Sequence, residues 1–245
     1  MGRTPIVWRE GTVAAVLPET DHAATLRLDV PDWPGHVAGQ HLDVRLTAED
    51  GYQTERSYSI ASAPEDPQLA LTVERIDDGE VSPYLVGELR PGDGLELRGP
   101  VGGHFTWSVE QGGPLLLVAG GSGLVPLMSM LRHRAARHSD VDTRVLVSAR
   151  GFQDALYRDE LATLAKGDGL AVHWTLTRSR PADWTGWDRR VDARMLESVG
   201  PDPAQRPRVF VCGPTPFVES VADLLVGLGH RPAAVHAERF GPTGG

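Results

Sequence analysis

The sequence predicts two domains: an antiparallel β-barrel, followed by an α/β domain built on a parallel sheet. The chain has 245 residues, a length that suits two domains of a little over one hundred residues each. Short β-rich runs fill the first part, whereas strands and helices alternate in the second. We place the boundary at Gln111-Gly112-Gly113-Pro114, which interrupts the chain, so that the predicted domains span residues 1–111 and 112–245.

The barrel is predicted from runs that have the period of half-buried strands. Leu26, Leu28 and Val30 alternate with polar residues, as expected of antiparallel strands that turn one face to a core. The predicted strands cover residues 11–17, 24–30, 41–46, 56–60, 69–76 and 94–98. Six short strands separated by turn residues indicate a small barrel. One helix is expected at residues 82–89, with Ser82 as its N-cap and Pro83 at its first position.

The second domain is predicted from buried strands that alternate with helical segments. Residues 114–119 form a continuous apolar run, which is typical of a parallel strand buried on both faces. Further strands are predicted at residues 144–148, 171–177 and 209–212, with helices at 124–137, 156–164, 192–199 and 217–228. Strands alternating with helices in this way indicate an open parallel α/β sheet.

Net charge argues against nucleic-acid binding, and hydropathy argues against membrane insertion. The chain carries 24 basic and 33 acidic residues, a net charge of −9, and no basic cluster interleaved with aromatic residues, so nucleic-acid binding is not expected. No apolar run approaches the roughly 20 residues that span a bilayer, which excludes membrane insertion. The first residues lack a basic stretch followed by an apolar one, so we expect a cytoplasmic protein.

The cysteine and histidine content argues against a disulfide, an iron-sulfur cluster and a zinc site. Cys212 is the single cysteine, so the chain cannot form an internal disulfide or supply the four thiolates that an iron-sulfur cluster normally takes. The nine histidines show no His-x-x-x-His pair or Glu-neighboured pair of the kind that binds zinc. We therefore predict no metal site.

The glycine-rich segment Gly120-Gly121-Ser122-Gly123 follows a buried strand and opens a helix. Glycines allow a tight turn and a close approach of the backbone to a diphosphate, and the helix N-terminus favours the negative charge. The segment departs from the dinucleotide-binding fingerprint because Pro126 replaces the third glycine. On this segment alone, a phosphate-binding loop and a tight turn without a ligand remain open.

A second segment, Arg56-Ser57-Tyr58-Ser59, lies in the barrel domain. Arg56 could bind a diphosphate, Tyr58 could lie flat on a ring system, and Ser59 could form a hydrogen bond to the ring's edge. The start of the 82–89 helix would make a second anion site. Alternatively, these are ordinary strand residues and Arg56 is a solvated charge.

A third segment, Cys212-Gly213-Pro214, follows a predicted parallel strand. Open α/β sheets bind ligands at the carboxyl ends of their strands, so this position favours a binding role. The alternative is that Cys212 belongs to the core, as most apolar-flanked cysteines do.

The ends of two other strands bear on the choice of nucleotide. An NAD site usually places an acidic residue about 20 residues after the glycines. Here the strands end instead in Ser148 with Arg150, and in Thr177 with Arg178. Guanidinium groups match a 2′-phosphate, so we favour NADPH, with NADH still possible. The alternative is that these arginines are solvated or contact only the diphosphate.

In their order along the chain, from about Val7 to Phe240, these segments resemble the ferredoxin-NADP reductase superfamily. The matching motifs are Arg-x-Tyr-Ser at 56–59, Gly-x-x-Ser at 79–82, Gly-Pro-x-Gly at 99–102, Gly-Gly-x-Gly-x-x-Pro at 120–126, Cys-Gly-Pro at 212–214 and Glu-x-aromatic at 238–240. The resemblance implies that the barrel domain binds FAD and that the α/β domain binds NADPH or NADH.

The resemblance also implies roles for individual residues. Ser59, Cys212 and Glu238 would surround the reacting atoms as the catalytic residues. Tyr58 and Phe240 would cover the two faces of the flavin. The implied FAD-binding set is Arg56, Ser57, Tyr58, Ser59, Val73, Arg75, Gly79, Val81, Ser82 and Phe240. The implied nucleotide-binding set is Gly121, Ser122, Gly123, Cys212, Gly213 and Pro214, to which the strand ends add Ser148, Arg150, Thr177 and Arg178.

The implied activity is hydride transfer from NADPH, or NADH, to FAD, followed by release of single electrons. Oxygenase reductases that resemble this chain often carry a plant-type ferredoxin domain with Cys-x4-Cys-x2-Cys, a motif missing here. We therefore expect a separate acceptor, a ferredoxin or flavodoxin that serves an oxygenase or cytochrome P450. The alternatives are direct reduction of a free flavin, a ferric chelate or a quinone, and a non-catalytic binding module, which the occupied ligand positions disfavour.

Overall fold

The computed structural model describes residues 6–241, which form two β-sheets with helices packed on the second. The strands of the first sheet are β1 (Trp8–Thr20), β2 (Ala23–Asp29), β3 (His41–Thr47), β4 (Gln53–Ser59), β5 (Leu69–Glu74) and β6 (Gly94–Val101). Their order is β4-β3-β6-β1-β2-β5, with antiparallel pairing throughout. Just beyond β4, an antiparallel bridge from Ile60 to Leu71 joins the two edges. The sheet is therefore a barrel, as predicted.

Alternating side chains fill the barrel. Leu26, Leu28, Leu42, Val44 and Leu97 are fully buried in its core. Leu26 and Leu28 on β2, and Leu42 and Val44 on β3, are each separated by one residue, which is the spacing that turns both members of a pair to one face.

The short helix α1 (Ser82–Gly87) closes one end of the barrel with Leu85 buried, but it differs from the prediction at its start. Its N-cap is Val81, without a side-chain capping bond, so the expected capping role of Ser82 is wrong. The Oγ of Ser82 instead accepts a hydrogen bond from the backbone N–H of Ile76, at 3.0 Å. Ser82 thus fastens the turn that leads into the helix rather than the helix itself.

The second sheet is parallel and has the order β11-β10-β7-β8-β9. Its strands and helices follow one another as β7 (Leu115–Gly120), α2 (Leu124–Ala136), β8 (Thr143–Ala149), α3 (Arg158–Leu164), β9 (Leu170–Leu176), α4 (Ala193–Val199), β10 (Arg208–Pro214), α5 (Thr215–Gly227) and β11 (Val235–Phe240). Short 3-10 turns cover Val109–Gln111, Gly121–Gly123, Phe152–Asp154, Pro203–Gln205 and Pro232–Ala234. All six residues of β7 are buried, which confirms a central parallel strand covered on both faces.

Helix α2 joins the two sheets through polar contacts. Ser129 Oγ donates to the carbonyl of Ser62 at 2.6 Å, and Arg132 donates to the carbonyl of Ala61 at 2.8 Å. His133 Nδ1 lies 2.9 Å from a carboxylate oxygen of Glu65. Since α2 follows the glycine turn after β7 directly, these contacts hold the carboxyl ends of the parallel strands against the barrel.

A second connection between the sheets comes from Tyr157, just before α3. Its φ of 54° is left-handed, a conformation that costs an aromatic residue about 1 to 2 kcal/mol. Its buried hydroxyl donates to Thr72 Oγ1 on β5. Thr72 Oγ1 in turn lies 2.6 Å from Thr25 Oγ1, which donates to Glu19 at 2.6 Å. A chain of hydroxyl groups therefore runs from α3 into the barrel.

Candidate active site

A cavity of about 510 Å³ lies where the two sheets meet, a volume within the roughly 300 to 1,000 Å³ of small-molecule binding sites. Residues of β4, β5, the turn before α1, the turn after β7 and the end of β11 line it. The lining residues are Arg56, Ser57, Tyr58, Ser59, Thr72, Glu74, Ile76, Gly79, Glu80, Val81, Ser82, Ser122, Val125, Phe240 and Gly241. Nine of the residues predicted from the sequence are among them.

Two aromatic side chains from different sheets face this cavity. Tyr58 extends from β4, and burial raises the pKa of its hydroxyl to about 12, so the hydroxyl stays protonated at neutral pH. Phe240 extends from the end of β11 and keeps 37% of its surface exposed. Two aromatic residues in the lining of one cavity suit a flat, conjugated ligand.

Little space is left for a side chain at residue 79, in the turn before α1. A Cβ placed on Gly79 would lie 3.0 Å from the carbonyl oxygen of Ile76 and 3.1 Å from Ser82 Oγ, so these atoms would have to shift. Glycine therefore favours the turn that brings residues 76–82 to the edge of the cavity.

The glycine turn after β7 packs against the end of β10. A Cβ on Gly123 would overlap the carbonyl oxygen of Cys212, and one on Gly213 would lie 2.7 Å from the ring of Phe217 and 3.2 Å from Gly120 Cα. Both segments thus depend on glycine to approach each other. The structure brings Gly121, Ser122 and Gly123 together with Cys212, Gly213 and Pro214 at one edge of the sheet.

Two of the predicted catalytic residues, Cys212 and Glu238, lie side by side at this edge. Cys212 and Glu238 are neighbours in the register of β10 and β11, and Cys212 is only 1% exposed. Burial first, and then the charge of Glu238, raises the pKa of the Cys212 thiol well above its usual value. The cysteine therefore presents a neutral thiol and not a thiolate.

Burial also raises the pKa of Glu238, to about 7. Its Oε2 is buried, and it has no hydrogen-bond partner among residues 6–241. Its Oε1 lies 3.8 Å from Nδ1 of His41, the residue that pairs with Ser59 across β3 and β4. Burial lowers the pKa of His41. His41 therefore lies between Ser59, its partner in the strand pairing, and the carboxylate of Glu238. Nothing in the local sequence pattern indicated that His41 belongs to the site.

The residues proposed to select the nucleotide lie together at the ends of β8 and β9. The backbone N–H of Arg178 donates to the carbonyl of Arg150 at 2.8 Å, and that of Thr177 donates to the carbonyl of Ala149 at 2.9 Å. Within the described part of the chain, no carboxylate lies within 4.0 Å of the guanidinium of Arg150 or Arg178. Both charges, together with nearby Ser148, are available to an anion.

Two predicted cofactor-binding residues do not bring their side chains to the cavity. Val73 is fully buried in the barrel core, and Arg75 forms an ion pair with Asp77 at 3.0 Å. The opposite face of the same strand reaches the cavity instead, through Thr72 and Glu74. The alternation of residues 69–74 contained this signal, because it places Val73 on one face and Thr72 and Glu74 on the other.

Residues 6–241 contain no group of three or more His, Cys, Asp or Glu side chains placed to hold a metal ion. Over the same residues, the helices are all too short or too polar to cross a membrane.

Comparison with known families identifies both halves of the chain. Residues 16–107 match the oxidoreductase FAD-binding domain, and residues 117–223 match the oxidoreductase NAD-binding domain. Ferredoxin–NADP reductase B of Sorangium cellulosum is 37% identical over 242 residues, which cover 94% of this chain and 97% of that protein.

A longer relative matches over part of its length. The glycine betaine monooxygenase reductase subunit of Pseudomonas aeruginosa is 36% identical over 208 residues, which cover 84% of this chain and 56% of that protein. The chain therefore spans little more than half the length of that curated relative.

Solved structures agree with the fold. A cytochrome P450 reductase of Amycolatopsis is 26% identical with a TM-score of 0.83, over 98% of this chain and 72% of that one. The FAD/NAD-binding domain of a nitric oxide dioxygenase from Vibrio cholerae shares the fold with a TM-score of 0.84 at 24% identity, over 96% of this chain and 99% of that one. By sequence, fold and the residues gathered between its two sheets, the chain belongs to the ferredoxin-NADP reductase family of FAD- and NAD(P)-binding oxidoreductases.

Proposed function

We propose that the protein is an FAD-dependent NAD(P)H oxidoreductase that delivers single electrons to a separate ferredoxin or flavodoxin, which serves an oxygenase or cytochrome P450. The observation that carries this proposal is a cavity lined from both sheets, with Ser59 in its wall and with His41 between Ser59 and the Cys212–Glu238 pair. A ferredoxin–NADP reductase and an oxygenase reductase subunit among the relatives support it. The FAD-binding unit would be residues 1–111 and the nucleotide-binding unit residues 112–245.

The residues that line the cavity suit FAD chemically. Tyr58 and Phe240 would cover the two faces of the flavin ring, and the hydroxyl of Ser59 would contact the ring's edge. Arg56 and the turn at Gly79 would hold the diphosphate, together with Ser57, Val81 and Ser82. Bound FAD supplies hydride acceptance from a nicotinamide and the release of electrons one at a time.

This chain's own residues would orient the reactants and hold a proton. The close packing of Gly123 on the Cys212 carbonyl would place the nicotinamide beside the cavity, with Gly121, Ser122, Gly213 and Pro214 around it. The neutral thiol of Cys212 would contribute contact without charge. Glu238, with a pKa raised to about 7, would hold or release a proton at Oε2 near neutral pH. Alignment of two reactants in this way supplies a large part of a rate enhancement.

We further propose that NADPH is the preferred nucleotide. Arg150 and Arg178 lie side by side without carboxylate partners in the described chain, and Ser148 and Thr177 place hydroxyl groups beside them. A 2′-phosphate would meet two guanidinium groups there, which bind phosphate more strongly than they bind a hydroxyl. The cytoplasm, which holds reduced pyridine nucleotide, is the proposed location.

The acceptor is tested on the purified protein. We expect a yellow protein whose flavin absorbance bleaches when NADPH is added without oxygen, and cytochrome c reduction that depends on added ferredoxin or flavodoxin. A colourless protein that cannot be reconstituted with FAD would refute the flavin site. Rapid reduction of free flavin, ferric chelate or quinone, with no stimulation by either carrier protein, would refute the separate protein acceptor.

A further inference from the structure

We propose that Glu80 restrains FAD binding by competing with the cofactor's diphosphate for the guanidinium of Arg56. The inference rests on the proposed function, because it takes the diphosphate to lie beside Arg56. It concerns a residue that the family motifs pass over: Glu80 lies between the glycine and the serine of the 79–82 motif.

The carboxylate of Glu80 accepts hydrogen bonds from three residues, one of which is Arg56. Its Oε2 accepts hydrogen bonds from Arg56 at 3.1 Å and from Thr54 Oγ1 at 3.3 Å. Its Oε1 accepts a hydrogen bond from the hydroxyl of Tyr52, at 3.1 Å. The other terminal nitrogen of Arg56 donates to the carbonyl of Glu55, at 2.8 Å. Both terminal nitrogens of the guanidinium thus have protein acceptors.

A guanidinium binds phosphate most strongly through two neighbouring N–H groups, which donate to two oxygens in parallel. Glu80 occupies part of that edge of Arg56. A diphosphate that binds there must either displace the carboxylate or share the guanidinium with it. Because Arg56 and Glu80 are each about half exposed, at 53% and 52%, their ion pair is weak enough to be displaced.

The charge of the cavity lining favours the same conclusion. Arg56 is the single cation among the fifteen lining residues, whereas Glu74 and Glu80 are both acidic, so the lining carries more negative than positive charge. A diphosphate adds further negative charge to this surface. Removing the carboxylate of Glu80 therefore relieves repulsion and releases Arg56 in one step.

The variant Glu80→Gln keeps the size of the side chain and its acceptor oxygen for Tyr52. We expect it to bind FAD about three- to tenfold more tightly than the unaltered chain, the range of one exposed ion pair together with one like-charge contact. The control is Asp78→Asn, which removes the same charge from the same exposed turn and has no contact with Arg56 in the described structure. Its affinity for FAD should change less than twofold.

The experiment titrates the full-length chain, stripped of flavin, with FAD and follows the flavin fluorescence. Glu80→Gln is compared with the unaltered chain, with Asp78→Asn, and with the same change made in an Arg56→Gln background. A gain that is largely lost in that background supports competition for Arg56. No gain, an equal gain in Asp78→Asn, or a gain fully retained without Arg56 would overturn it.

This result is separable from that of the proposed function. If the unaltered chain binds no FAD, the flavin site itself fails. If the unaltered chain binds FAD and Glu80→Gln binds it no better, only the role of Glu80 fails.

Discussion

Replacing Glu238 by glutamine should make the protein more stable at alkaline pH and leave it nearly unchanged at acidic pH. Burial raises the pKa of Glu238 from its usual 4.5 to about 7, so the folded protein keeps a proton there that the unfolded chain releases. Where the folded state binds more protons, the free energy of unfolding falls as the pH rises. The loss occurs between about pH 4.5 and 7, and it is complete above the folded-state pKa.

The size of the effect follows from the two pKa values. Between about pH 5.5 and 8.5, the unaltered protein should lose about 2 kcal/mol of stability relative to Glu238→Gln. Glutamine cannot ionise and therefore does not carry this dependence. The Oε2 position, which has no partner within residues 6–241, is then filled by a neutral amide and no longer by a buried charge.

Urea unfolding of both proteins at a series of pH values measures this difference directly, at matched FAD content. The control is Glu49→Gln, which makes the same substitution at an exposed carboxylate in the loop after β3. A constant offset between Glu238→Gln and the unaltered protein from pH 5.5 to 8.5 would show that Glu238 ionises normally. The proposed proton-holding role would then be lost.

Three further substitutions and one labelling experiment test other parts of the site. Arg178→Ala should lower kcat/KM for NADPH by about ten- to a hundredfold and leave that for NADH unchanged, as expected for loss of one charge-assisted phosphate contact; an unchanged value for NADPH, or an equal loss with both nucleotides, would contradict it. Gly123→Ala should destabilise the fold by about 3 kcal/mol in thermal unfolding, because its Cβ overlaps the Cys212 carbonyl. Gly121→Ala, with φ of 55° and open space around it, should cost only about 1 kcal/mol. Iodoacetamide should label Cys212 in urea but not in the native protein at pH 8, since burial raises the pKa of the thiol; rapid native labelling would show an accessible thiolate.

Much of the fold was predictable because its signals are local. The alternation of Leu26 and Leu28 places them in the barrel core, and the unbroken apolar run of β7 places that strand at the centre of the parallel sheet. The alternation and the apolar run follow a simple period, and the tight turn at Gly79 involves neighbours within a few residues along the chain. The glycine at residue 123 was visible in the sequence, but its physical reason is long-range, because its Cβ would overlap the carbonyl of Cys212.

The rest of the site depends on contacts between distant segments. His41 reaches Glu238 only because β3 of the barrel and β11 of the parallel sheet meet, and no spacing in the sequence encodes that approach. Likewise, Glu80 in the turn before α1 contacts Arg56 on β4, and no spacing in the sequence predicts this ion pair. The Ser82 prediction failed differently: a serine before a proline suits an N-cap, but the N–H of Ile76 offered its hydroxyl a partner inside the preceding turn.

The polar contacts of α2 bear on whether either half of the molecule could exist alone. Ser129, Arg132 and His133 belong to the nucleotide-binding half, yet their partners are Ser62, Ala61 and Glu65 in the barrel half. Separating the halves at the proposed boundary would expose this face of α2 and leave the buried imidazole of His133 without Glu65, whereas Arg132 would lose the Ala61 carbonyl but keep Glu160. The regions that match two separate domain families are therefore joined by polar contacts, and we expect them to unfold together.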